Sequence, residues 1–221
     1  MELSHSTWQE VECYLQNRKA IVMPIGSMEQ HGPNGLVGTD ALCPESLALE
    51  MGKQSGALIA PTISVGMAQH HLAFPGSITL RPTTLILVIR DMVNSLIQQG
   101  FERFYFLNGH GGNIATVHAA FSEVYAQSSL GKQPSNYSSV RCRLKNWWEA
   151  DGVMALSKEL FGDADGSHAT CGEVSLTQYA YPHSIKSVEM DPPIAPTGPI
   201  YDAADYRRRF PDGRIGSNPS L

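Results

Sequence analysis

Short, wholly apolar runs alternate along this chain with longer stretches whose apolar residues recur every three or four positions. Ala20-Ile21-Val22-Met23-Pro24-Ile25 reads as a buried strand closed by Gly26, and Ala41–Gln54 as a helix stopped by Gly56. Leu58–Val65 is a second apolar run, where Pro61 argues for an edge or a bulge. Pro82–Gln99 is the clearest helix, with Leu85, Leu87, Val88, Met92, Leu96 and Ile97 at helical spacing and Gly100 at its end. A strand over Phe101–Leu107, a helix over Ile114–Gln127 and a strand over Val140–Trp148 follow. Residues 131–139 and Asp191–Gly198 are polar or Pro-rich connectors, and no internal repeat is visible. This β-α-β-α rhythm predicts an α/β fold of three layers, a mainly parallel sheet with helices on both faces, as one domain over residues 1–221.

Composition narrows the class. At 42% hydrophobic and 17% charged residues, the chain has the balance of a folded core rather than of a disordered segment. Twenty glycines and 14 prolines imply many tight, shaped loops. A net charge of −5 lacks the basic field that holds a nucleic-acid backbone, and Arg207-Arg208-Arg209 reads as a solvated face. The longest aliphatic run, Leu85–Ile89, is far short of the ~18 residues of a membrane span. No secretory pattern is visible in Met1–Glu10, and Cys13, Cys43, Cys142 and Cys171 show no metal-finger spacing. Reduced thiols in a cytoplasmic protein are the expectation.

In folds of this kind ligands bind in the loops beyond the carboxyl ends of the strands. The loop after the first strand carries Glu29 and His31, which share a face if extended, and continues through Gly38-Thr39 to Asp40. These three side chains suit a divalent transition metal; alternatively Asp40 caps the next helix and the other two are solvated. His110 lies among Gly109, Gly111 and Gly112 after the Phe101 strand, a turn fit for a metal ligand or an anion at a helix N-terminus, though without the ending of a P-loop. His168 and Glu173 are five apart at the entry of a further helix, a spacing that also arises by chance. Cys171 beside them has no cysteine-hydrolase context. His70-His71 lie on a loop that Phe74 could pack, and either a ligand role or loop packing fits. His5, His118 and His183 have no acidic or glycine-rich company. Of Trp147 and Trp148, strand alternation predicts one in the core and one on a pocket wall.

Taken together, three segments resemble one family, creatininase, also called creatinine amidohydrolase. They are Gly26-Ser27-Met28-Glu29-Gln30-His31-Gly32-Pro33 with Gly38-Thr39-Asp40, then Phe74-Pro75-Gly76-Ser77, then Asn108-Gly109-His110-Gly111-Gly112-Asn113. His168-Ala169 with Glu173 is similar to the family's later motif, so the resemblance covers roughly residues 20 to 180. It implies a homohexamer with two divalent ions (zinc, manganese or iron) per site and a small-molecule amide substrate. Glu29 and His110 would hold one metal, His31 and Glu173 the other, and Asp40 would bridge them. His168 and Glu173 would be catalytic, with His168 protonating the leaving nitrogen, and His71, Gly111, Gly112 and Trp148 would meet substrate. Thr170 and Val174 stand where the family favours Gly and Thr. Relatives usually continue past the position of Leu221 into a further helix, which implies a shortened member or an incomplete chain.

Creatinine itself is not the expected substrate. Enzymes acting on it tend to carry Glu where this chain has Gly112, and a Trp shortly before the His matching His168. Here Gly162-Asp163-Ala164-Asp165-Gly166-Ser167 holds no aromatic residue and reads as a mobile, solvated lip. A deformylase, a short-peptide peptidase and a non-catalytic metal-binding relative are the alternatives.

Overall fold

The computed structural model describes residues 1–131 and 139–220; the expected connector at 131–139 therefore falls, apart from its two ends, outside the described residues. Strand β1 (Ala20–Ile25) lies parallel to β3 (Arg103–Asn108) over six aligned pairs, from Ala20 opposite Arg103 to Ile25 opposite Asn108. Strand β4 (Arg141–Asn146) continues the sheet beyond β3, and β2 (Leu58–Ile59) flanks β1, giving the parallel order β2-β1-β3-β4. β2 is shorter than its apolar run. Pro61 has no N–H for a ladder, so only an isolated bridge between Ile25 and Ile63 continues the pairing. β4 ends before the tryptophans, which lie in a 3₁₀ turn at Trp147–Glu149.

Alternation along the strands sorts the core. Ile21, Met23, Ile25, Phe104 and Phe106 face α3 (Pro82–Gln99) and α4 (Ile114–Ser129), where Leu85, Ile89, Val93, Leu96, Val117, Phe121 and Val124 are buried. The spacing of Leu85, Ile89, Val93 and Leu96 puts all four on one side of α3, and burying each stabilises the fold by about 1.5–3 kcal/mol. On the opposite face Val22, Ile59 and Leu107 meet Ala48 of α2 (Thr39–Ser55). The expected three layers are present.

Other elements left weaker marks in the sequence. Helix α1 (Trp8–Asn17) starts at a capping box: the Glu10 carboxylate accepts the Thr7 N–H at 2.7 Å, and Thr7 Oγ1 accepts the Glu10 N–H. Helix α5 (Val153–Phe161) buries no residue, α6 (Cys171–Ala180) packs on α2, and α7 (Ala203–Arg209) sinks Tyr206 beside Phe74, Phe210 and Ile215. Below them the fully buried Arg214 pairs with Asp212 at 2.7 Å and donates to the carbonyls of Pro192, Pro193 and Ser217, which ties the Asp191–Gly198 connector to the C-terminal segment. Among the described residues no helix is long and apolar enough to cross a membrane. Cys43 and Cys171 are buried, and none of the four cysteines forms a disulfide.

Strand order fixes where a site can form. The chain moves from β1 to β2 on one side and then adds β3 on the other, so a crevice opens between the carboxyl ends of β1 and β3. Glu29 and His31 follow β1, and His110 follows β3.

Candidate metal centre and active site

Three chain segments converge closely at this crevice because two of them meet it with a glycine. Pro44 leaves the Asp40 carbonyl without its helical N–H partner. A Cβ on Gly26 would stand 2.0 Å from that carbonyl oxygen, and one on Gly109 would stand 1.9 Å from it. The start of α2 can therefore sit against the ends of both strands. Asn113 Nδ2 donates to the Gly26 carbonyl at 2.9 Å, and its Oδ1 accepts the Met67 N–H at 3.0 Å, tying a further loop into the cluster. Asn108 holds the histidine turn by donating to the His110 carbonyl and accepting the His110 N–H.

These ties orient each imidazole. His110 Nε2 lies 2.9 Å from the Met67 carbonyl, so it carries the proton there and turns Nδ1 inward. That Nδ1 is 2.8 Å from Asp40 Oδ2 and 3.2 Å from Glu29 Oε2. His31 Nδ1 lies 3.0 Å from the Glu29 carbonyl, which leaves Nε2 facing Asp40 Oδ1 at 2.8 Å and Glu173 Oε1 at 3.9 Å. Glu173 is itself held by a second capping box: its Oε1 accepts the Thr170 N–H, and Thr170 Oγ1 accepts the Glu173 N–H at 3.2 Å. Thr170, one of the departures from the family pattern, thus steadies a candidate ligand.

The buried charges test whether a metal fits. Burial opposes ionisation of Glu29, yet His110 and His71 hold its carboxyl well below the usual range. Burial likewise opposes charge on His31, but Asp40, Glu173 and Glu29 outweigh it and raise its pKa to about 10; His110 is raised by Glu29 and Asp40 in the same way. Burial pushes Glu173 up to about 7. Both oxygens of Glu29 and Oδ2 of Asp40 are buried without a well-formed hydrogen bond. Three carboxylates packed this way need positive charge among them, which protons on His31 and His110 supply here and divalent cations would supply on the same atoms. Two donor groups, Glu29–Asp40–His110 and His31–Asp40–Glu173, share Asp40, and within each the donor atoms lie within 4.8 Å of one another. A third group, Glu29–His31–His168, overlaps them. The residues fit.

Above the cluster lies a cavity of about 900 Å³. Gly111, Gly112 and Trp148 line it, whereas His71 does not. His71 is 1% exposed, behind Glu29, and His70 faces the cavity instead. Trp147 packs against the Val22–Ala48–Ile59–Leu107 cluster and Trp148 does not, so the core role falls to Trp147 as expected, although both reach the cavity wall from the 3₁₀ turn. The lip at Gly162–Ser167 is solvated at Gly162, Asp163, Gly166 and Ser167, as its composition suggests, but it is anchored. Ala164 is buried, and Asp165 accepts the Gly172 N–H at 3.0 Å and the Ser157 hydroxyl, so the segment is a fixed wall. Cys171 donates to the Ala164 carbonyl, and burial raises its thiol pKa, as befits a packing residue. His118 packs on Phe121 away from the site. Gln30, Asn108 and Asn113 were legible only as members of their motifs, and Tyr206 gave no signal at all.

The model of one protein family, described as creatininase or creatinine amidohydrolase, matches residues 4–221. The chain belongs to the creatininase family. Among curated proteins it is 29% identical to creatinine amidohydrolase of Pseudomonas putida over 211 residues, 89% of this chain and 78% of that one. It is 28% identical to 3-dehydro-scyllo-inosose hydrolase of Thermotoga maritima over 96% of this chain and 68% of that one. A 106-residue stretch is 32% identical to the mycofactocin precursor peptide peptidase of Mycolicibacterium smegmatis, 45% of this chain and 42% of that one. The fold matches a solved creatinine amidohydrolase (creatininase) with a TM-score of 0.79 at 23% identity, over 99% of this chain and 87% of that one. A solved structure titled creatininase Mn matches at 0.80 and 22% identity, over 100% of this chain and 89% of that one. As a creatininase-family member the chain is a hydrolase.

Proposed function

We propose that this creatininase-family hydrolase cleaves the carbon–nitrogen bond of an amide larger than creatinine, using two divalent metal ions. The observation that carries the reading is the pair of carboxylate–imidazole groups sharing Asp40 at the floor of a roughly 900 Å³ cavity. Glu29 and His110 would hold one ion and His31 and Glu173 the other, with Asp40 common to both; zinc, manganese and iron all suit these donors. Bound there, the ions would lower the pKa of water and polarise the amide carbonyl.

The protein's own residues do the rest. His168 Nε2 lies 2.8 Å from the Gln30 carbonyl and donates its proton there, which leaves Nδ1 free, 3.8 Å from Glu29 Oε1. Burial and the charge on the neighbouring His31 hold its pKa well below the usual value, so His168 is neutral. A neutral imidazole with a free Nδ1 takes up the proton of the attacking water and then delivers it to the departing nitrogen. Gly111 and Gly112 keep side chains off the floor, while Trp147, Trp148 and Met154 provide an apolar wall. The cavity is near the top of the roughly 300–1,000 Å³ range for drug-sized ligands and leaves a small ring such as creatinine poorly enclosed. Assembly as a homohexamer, which rests on the family resemblance, and a cytoplasmic location belong to the same reading; the exposed Leu156 and Leu160 of α5 supply apolar surface for contact between subunits.

The test is hydrolysis of an amide panel by protein loaded with zinc or manganese: formamides, short peptides, and cyclic amides including creatinine. Metal-dependent turnover of the bulkier amides with poor creatinine turnover is expected. Creatinine turnover at a kcat/KM of about 10⁴ M⁻¹s⁻¹ or more would contradict the substrate reading.

A further inference from the structure

Glu29 belongs to two of the three overlapping donor groups, one with Asp40 and His110 and one with His31 and His168. Its two oxygens divide along the same line. Oε2 faces His110 Nδ1 at 3.2 Å, and Oε1 faces His168 Nδ1 at 3.8 Å. A closer neighbour of Oε1 is His71, whose Nε2 is 3.1 Å away, a polar contact at close range that falls short of a well-aligned hydrogen bond. The far side of that imidazole settles which nitrogen carries the proton. Gln30 Oε1 accepts the Gly32 N–H at 2.9 Å, which fixes the amide with its nitrogen towards His71. Gln30 Nε2 has two hydrogens and four neighbours: His71 Nδ1 at 3.0 Å, the Gly213 carbonyl at 3.0 Å, His168 Nε2 at 2.9 Å and the Tyr206 hydroxyl at 3.2 Å. His168 Nε2 and the Tyr206 hydroxyl donate to the Gln30 and Gly213 carbonyls, so the two hydrogens go to Gly213 and to His71 Nδ1, and the His71 proton sits on Nε2, facing Glu29. The ring has little freedom to turn: Tyr206 packs edge-on against it at 4.8 Å and 90°, and its own hydroxyl is tied to the Gly213 carbonyl at 2.7 Å.

We propose that His71 is a positioning residue that claims Oε1 of Glu29. Only Oε2 is then offered to a metal, together with Asp40 and His110, and His168 stays outside the metal shell, free to carry protons. The inference rests on the two-metal reading above. Metal-bound groups oriented by an outer partner typically lose 10–100-fold in metal affinity when that partner is removed.

The experiment is a metal titration of chelator-treated protein with zinc or manganese, read by calorimetry. Glu29→Gln and Glu173→Gln identify which binding step belongs to which half of the site. His71→Asn keeps a polar group near Gln30 but cannot reach Oε1; His71→Gln can place an amide N–H where Nε2 stood. His71→Asn is expected to weaken the Glu29 step about 10–100-fold, to leave the Glu173 step unchanged, and to be largely rescued by His71→Gln. Equal weakening of both steps, or unchanged steps with only a lower melting temperature of the metal-free protein, overturns the proposal. Absence of any metal uptake by the unsubstituted protein overturns the two-metal reading and this inference with it, whereas normal uptake without a selective His71 effect overturns this inference alone.

Discussion

The two halves of the site are built in opposite ways. Glu29, His31, Asp40 and His110 come from the ends of β1 and β3 and the start of α2; all are buried, and each is gripped by backbone carbonyls, amides or neighbouring imidazoles. The other half, from Trp147 to Glu173, rests on a 3₁₀ turn, the core-free helix α5 and the first turn of α6. It contributes one carboxylate and one imidazole to the floor and most of the wall above it. The difference teaches a division of labour. Strand ends locked to the core hold the groups that must not move, and a wall carried largely by a helix that buries no residue is where substrate choice can change without loss of the fold.

Substitutions can break that division. Asp40→Asn removes the carboxylate common to both donor groups, so metal-dependent activity should fall by more than the roughly 10–100-fold typical of an outer-shell loss, and metal should no longer raise the melting temperature. Activity assays and thermal melts with and without metal check this. Gly112→Ala would put a Cβ 2.3 Å from His110 Nε2 and 2.7 Å from the Met67 carbonyl, breaking the bond that turns His110 inward. A roughly 10–100-fold weaker metal step, measured against a chromogenic chelator, is expected.

On the wall the effects should be smaller and of another kind. Trp148→Ala should cost about tenfold in kcat/KM, or about 1.4 kcal/mol, mainly through KM, with metal stoichiometry unchanged. A matching loss of metal would merge the two halves into one. Thr170→Ala removes a helix cap worth about 1 kcal/mol, and should lower the melting temperature by roughly 2–4 °C in a chain of this size. Differential scanning calorimetry on the metal-free protein measures it directly.

The same contrast governs what the sequence reveals. Buried parallel strands write continuous apolar runs, and α3 writes a clean stripe, so β1, β3, α3 and α4 were legible to within a few residues. Glu29, His31, Asp40 and His110 stand out because glycines surround chemistry-bearing residues at strand ends. Helix α5 was missed since it buries nothing and its apolar residues face outward. Helix α1 was marked only by Thr7 and Glu10, a capping signature in a polar stretch. At the lip Gly162–Ser167 composition correctly reports solvent exposure at four of six residues, but it cannot show the anchoring bonds of Asp165 to Ser157 and Gly172. Likewise no local pattern could show that Tyr206, far along the chain, packs on His71. Long-range contacts of this kind leave no periodicity to read.

Metal stoichiometry of protein prepared without chelators tests the account most directly. Elemental analysis should find about two divalent ions per chain, falling to about one in Glu29→Gln and close to none in Asp40→Asn. Metal-free protein whose melting temperature does not rise when zinc or manganese is added would contradict it.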